Sequence, residues 1–68
     1  QLQIREKFYS RTKLFEKDSA NPILKDHFLT GRLKGYRAFS ITGDIRVVYS
    51  IHDNTAYFAD IGTHNQVY

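Results

Sequence analysis

The chain has no cysteine among its 68 residues, so no disulfide framework and no thiolate metal site can hold it together. That absence fits a reducing compartment, and the expected location is the cytoplasm. Proline occurs once, at Pro22, and no apolar run approaches membrane-spanning length. No signal-peptide pattern is present, and no membrane association is expected. Gly-rich phosphate loops, paired cysteines, nucleophile elbows, internal repeats and low-complexity tracts are all missing. Carboxylates are absent from Phe28 to Gly43, although Arg32, Lys34 and Arg37 fall in that stretch. The formal charge is only +3, a mild bias toward polyanions that many proteins with no nucleic-acid partner share.

What is present suffices for one small globular domain over residues 1–68. Five Phe and five Tyr lie within a 41% hydrophobic composition, enough for a single core. The chain is organised around residues 35–68. Three apolar-alternating runs, Tyr36–Ile41, Ile45–Ile51 and Thr55–Ile61, are separated by Thr42-Gly43-Asp44 and His52-Asp53-Asn54. β-branched and aromatic runs broken by Gly, Asp and Asn predict an antiparallel meander. In the middle run Ile45, Val47, Tyr49 and Ile51 share one face, with Arg46, Val48 and Ser50 on the other.

A three-residue first loop places Phe39 opposite Val47 and Ser40 opposite Arg46. A three-residue second loop places Asp60 beside Arg46, completing a polar row Ser40–Arg46–Asp60. A two-residue Asp53-Asn54 type I′ turn is the alternative, and it shifts the third strand by one residue and flips its faces. Under either register, Gly62-Thr63-His64 returns to the start of the second strand at Asp44-Ile45-Arg46.

Residues 1–17 contain no Gly or Pro and predict a helix, with Ile4, Phe8 and Phe15 along one face. Its basic residues read as the solvated face of an amphipathic helix covering the meander, or alternatively as a basic helix on a phosphate backbone. Asp18 to Pro22 ends it. The expected fold is therefore α+β, an N-terminal helix packed on a three-stranded antiparallel β-meander.

An acid, a cation and an imidazole thus meet at one rim. His64 can move a proton near neutral pH, and Arg46 can hold a phosphate oxygen. His27 reaches the same rim if its loop folds over the sheet edge. Metal-free ribonuclease chemistry needs a base for the 2′-hydroxyl, an acid for the leaving 5′-oxygen and a cation on the phosphate. The competing reading makes Arg46 a cross-strand ion-pair partner of Asp60, Asp44 a turn residue and His64 surface decoration.

Four fragments in order, KDH followed by L-x-G, KGYR, GD-x-R-V-V-Y and the terminal GTHNQVY, resemble the RelE/ParE superfamily of bacterial toxin–antitoxin toxins. The resemblance is strongest to its YafQ-like branch and covers about Ile23–Tyr68. It implies two helices against a twisted antiparallel sheet, cleavage of mRNA at the ribosomal A site, and a silencing antitoxin partner. It implies no cofactor or metal. On this resemblance His27, Asp44 and His64 are the catalytic set, Arg46 binds phosphate, Lys34 and Arg37 line the RNA path, and Tyr68 contacts RNA or assists the leaving group. Ser40 stands where the branch carries another active-site histidine.

The family's first strand and first helix have no counterpart before residue 1. An N-terminally truncated domain, with a sheet edge left uncovered unless an oligomer or a partner shields it, is the matching expectation. Two other functions compete: a non-cleaving ParE-like toxin acting on gyrase, and an inactive remnant that only binds its antitoxin.

Overall fold

The computed structural model describes residues 2–63 and residue 67. Helix α1 spans Leu2–Lys17, and two 3-10 turns follow, at Pro22–Leu24 and Gly31–Leu33. Four strands complete the fold: β1 at His27–Phe28, β2 at Arg37–Ser40, β3 at Ile45–His52 and β4 at Thr55–Thr63. They form one antiparallel sheet in the order β1-β2-β3-β4. The α+β architecture and the meander stand as expected. The strand count of three is corrected to four, because His27–Phe28 is too short to show an alternation of its own and forms only by pairing with β2.

The first hairpin has the expected register, with Phe39 opposite Val47 and Ser40 opposite Arg46. The second departs from the three-residue loop. His52 pairs with Thr55 across Asp53 and Asn54, whose φ values of 51° and 65° are those of a type I′ turn. Such a turn alone would leave every later residue of β4 on the wrong face. A bulge repairs this: Tyr49 faces Phe58 but Val48 faces Asp60, leaving Ala59 as the extra residue. Ala56 and Phe58 therefore share a face with Ile61, although their numbers differ in parity. The same bulge puts Gly62, not Asp60, opposite Arg46, so the row Ser40–Arg46–Asp60 is corrected to Ser40–Arg46–Gly62.

The core lies between α1 and the odd-numbered face of β2 and β3. Phe15, Leu24, Phe39, Ile41, Val47 and Tyr49 are buried together, with Phe8 and Leu14 packed against them. The Phe15 ring stacks on Phe39 at 4.5 Å between centroids and meets Tyr49 edge-on at 4.8 Å. On the other face a smaller cluster of Ala38, Val48 and Val67 is flanked by Leu29 and Tyr36.

Coverage stops at β4. Among the described residues no strand pairs with its outer side, and Tyr57, Phe58 and Ile61 remain exposed. A groove of about 600 Å³ runs between Ile4 and Phe8 of α1 and Phe58 and Ile61 of β4.

Candidate active site

The rim where β3 starts and β4 ends is built by local hydrogen bonds. Thr42 Oγ1 accepts from the backbone N–H of Asp44 at 3.2 Å and of Ile45 at 3.1 Å. The Ile41 N–H donates to Ile45 O at 2.8 Å, closing the loop. This side-chain turn leaves Asp44 exposed at the tip, two residues before Arg46.

Arg46 points from the face opposite α1. Its Nη1 donates to Ser40 Oγ at 3.3 Å, while its Nε is buried and has no hydrogen-bond partner among the described residues. A buried N–H left unsatisfied costs free energy, on the order of 1–3 kcal/mol. An anionic oxygen arriving beside the guanidinium recovers that cost, and Arg presents its donors in a fork suited to phosphate. Gly62 lies opposite Arg46 and Thr63 opposite Ile45, so β4 delivers the chain to this rim as the hairpin geometry requires. His64 and Tyr68, the remaining expected site residues here, lie outside the described residues.

His27 sits exposed on β1, paired with Ala38. Its Nδ1 lies 3.0 Å from Lys25 O. A carbonyl only accepts, so Nδ1 carries the proton and Nε2 of the neutral ring is left as a base. Cross-strand partners share a face, and this places His27 on the same face as Ser40 and Arg46. Two strand spacings and two residues of rise separate His27 from Arg46, roughly 12 Å between backbones. The structure thus brings Asp44, Ser40 and Arg46 together at the rim and sets His27 on the same surface at a distance.

Lys34 is exposed in the β1–β2 connection, following the short turn Gly31–Leu33. Arg37 is placed elsewhere. Two residues before the core-facing Phe39, it lies on the α1 side of the sheet, away from Arg46. There its Nη2 donates to Asp26 Oδ2 at 2.7 Å and its Nε to Tyr49 OH at 3.1 Å. The Phe28 ring lies 4.1 Å from the guanidinium carbon. Tyr49 OH in turn donates to Asp26 Oδ1 at 2.7 Å. Burial first, and then the hydrogen bond to Asp26, pushes the Tyr49 phenol up to about 12. The hydrogen bond to Asp26 raises Arg37 above its usual range. Strict alternation from Phe39 carries the signal for the position of Arg37. Nothing local in the sequence points to Asp26 or to the hydroxyl of Tyr49 as its partners.

Among the described residues no group of three or more His, Cys, Asp and Glu side chains stands close enough to hold a metal ion. Among them also no helix is long and apolar enough to cross a membrane.

The family model described as bacterial toxin of type II toxin–antitoxin system, YafQ, matches residues 3–68. The crystal structure of YafQ from Escherichia coli superposes with a TM-score of 0.79 at 24% identity, covering 94% of this chain and 73% of that one. The Escherichia coli DinJ-YafQ toxin–antitoxin complex gives a TM-score of 0.75 at 27% identity, covering 94% and 72%. A copper-bound mutant toxin from Helicobacter pylori gives 0.70 at 27%, covering 88% and 68%. No curated protein matches the sequence.

Proposed function

The chain belongs to the YafQ family of bacterial type II toxin–antitoxin toxins, and from that premise we propose that it cleaves mRNA on the ribosome without a metal ion. The observation that carries this reading is Arg46. Its guanidinium has a buried Nε with no hydrogen-bond partner among the described residues, beside Ser40, at the rim that also bears Asp44 and where β4 ends at Thr63, the residue before His64 in the sequence.

In this reading the scissile phosphate sits on Arg46, which stabilises the charge that builds on its oxygens. Asp44 takes the proton of the 2′-hydroxyl, and the 2′-oxygen attacks phosphorus. The bond to the 5′-oxygen breaks as His64 protonates that leaving group, giving a 2′,3′-cyclic phosphate and a free 5′-hydroxyl. His27 Nε2 supplies a second proton acceptor further along the same face, for RNA that runs across it. Lys34 contacts the phosphate backbone, and Tyr68 stacks on or near the leaving nucleotide. Arg37 serves the fold instead, since its guanidinium is already engaged on the other face.

A cognate antitoxin is the expected protein partner, as DinJ is for the Escherichia coli toxin. Exposed Tyr57, Phe58 and Ile61 offer such a partner apolar surface. A translating ribosome as the site of action places the protein in the cytoplasm.

Primer extension on a translated mRNA after brief induction, beside the His64→Ala variant, tests the reading. New in-frame ends that fall by about two to four orders of magnitude in the variant are expected, with antitoxin binding unchanged. Ends that persist at the wild-type level in His64→Ala reject the assignment of His64. Silence from both chains rejects cleavage and leaves a protein that only binds its antitoxin.

A further inference from the structure

We infer that Asp26, Arg37 and Tyr49 form a clamp that fixes the register of β1 and so decides which face of the sheet His27 occupies. The inference rests on the reading above only for the consequence in RNA cleavage; the positional claim stands on the geometry.

Strand β1 has two residues and two ladder pairs, His27 with Ala38 and Phe28 with Arg37, extended by the Leu29 N–H to Tyr36 O bond at 3.0 Å. A strand this short has little of its own to hold its register, and a slip of one residue inverts every side chain. The chain also enters it through Lys25 at φ 50° and ψ 39°, the left-handed region that residues other than glycine seldom adopt. Local preference therefore opposes the observed path.

The clamp opposes the slip. Asp26 has a side chain only 9% exposed, and both of its oxygens are used, Oδ1 by Tyr49 and Oδ2 by Arg37. Arg37 Nε closes the triangle on Tyr49 OH. Tyr49 is 2% exposed and belongs to the central strand, with its ring against Phe15, so the triangle is anchored in the core. From there it crosses β2 at Arg37 and ends on the residue before β1. Phe28, on the far side of His27, lies over the same guanidinium. Asp26 and Phe28 are both held toward α1, and successive strand residues face opposite ways, so His27 must face the side that carries Ser40 and Arg46. A slip would pull the Asp26 carboxylate off two charge-assisted or buried donors and push the imidazole against Tyr49. The Lys25 carbonyl then orients the ring through Nδ1.

Asp26→Asn and Tyr49→Phe in the full chain test the clamp by NMR and by cleavage. Tyr49→Phe keeps the core ring and removes only the hydroxyl, so it decides the matter should Asp26→Asn fail to fold. Amide shifts of Phe39, Val47 and α1 should stay close to wild type. The cross-strand proton contacts between His27 and Ala38, and the exchange protection of the Leu29 amide, should fall at least several-fold. Retention of both at wild-type strength in a folded Tyr49→Phe variant overturns the inference. Cleavage should drop about ten- to a hundred-fold, as misplacement of a functional group produces. Lost His27–Ala38 contacts with undiminished cleavage uphold the clamp and remove His27 from the cleavage chemistry instead.

Discussion

Replacing Phe15 by Ala should come close to unfolding the protein. The Phe15 side chain is 8% exposed and is the buried anchor of α1. Its ring stacks on Phe39 with planes 14° apart, and meets Tyr49 and Phe58 edge-on at 4.8 and 6.2 Å. Truncation of a core Phe to Ala costs about 3–5 kcal/mol in transfer and cavity terms, to which each aromatic pair contributes about 0.5–1.5 kcal/mol. A single domain of this size has a total stability of roughly 3–10 kcal/mol. Phe15→Ala therefore removes most of the margin. Phe15→Leu keeps much of the apolar volume but loses the ring contacts, for a cost of about 1–2 kcal/mol. Urea titration followed by helix circular dichroism and, since there is no tryptophan, by the fluorescence of the five tyrosines is the assay. With a slope near 1 kcal/mol/M, Phe15→Leu should move the midpoint down by about 1–2 M. A Phe15→Ala midpoint within error of wild type refutes the reasoning. So does a loss of helix signal that leaves the tyrosine transition in place, because the helix and the sheet would then not share one core.

Four further outcomes follow from contacts elsewhere in the fold. The fold favours the protonated phenol of Tyr49, whose value rises from 10.0 to about 12, so this contribution is complete below pH 10 and is lost between about pH 10 and 12. The urea midpoint should therefore fall across that window, and Tyr49→Phe should flatten this part of the fall. Asn54→Val forces a β-branched residue to φ 65° and should cost at least about 1 kcal/mol, whereas Asn54→Gly should be neutral within a few tenths; equal denaturation midpoints for the two would contradict the type I′ assignment. Ser40→Ala removes the hydrogen bond to Arg46 and should cost about 0.5–1.5 kcal/mol. Arg46→Gln should leave the fold intact and cut cleavage by about 10²–10³, measured on the same translated mRNA; cleavage at the wild-type level in a folded variant would remove Arg46 from the phosphate.

The helix, the meander and the first hairpin were legible because their determinants are local. The period of Ile45, Val47 and Tyr49 names a face, and Thr42-Gly43-Asp44 is a turn in its own right, so Ser40 opposite Arg46 follows without reference to the rest of the chain. The cluster at the rim, Asp44 with Arg46, is legible for the same reason. Beyond that point tertiary structure decided. A type I′ turn at Asp53-Asn54 conflicts with the alternation of β4, and the bulge at Ala59 that reconciles them sets Phe58 on the α1 side, where its ring meets Phe8, Phe15, Phe39 and Tyr49. Strand β1 is invisible to periodicity because two residues have none. Asp26 meets Tyr49, 23 positions away, through a hydrogen bond that exists only once three strands are side by side. Short-range pattern encodes which way a residue faces within one element. Which elements become neighbours depends on burying apolar faces together, and the polar groups that then find themselves paired, Arg37 with Asp26 and Tyr49, are set by that burial and not by any spacing along the chain.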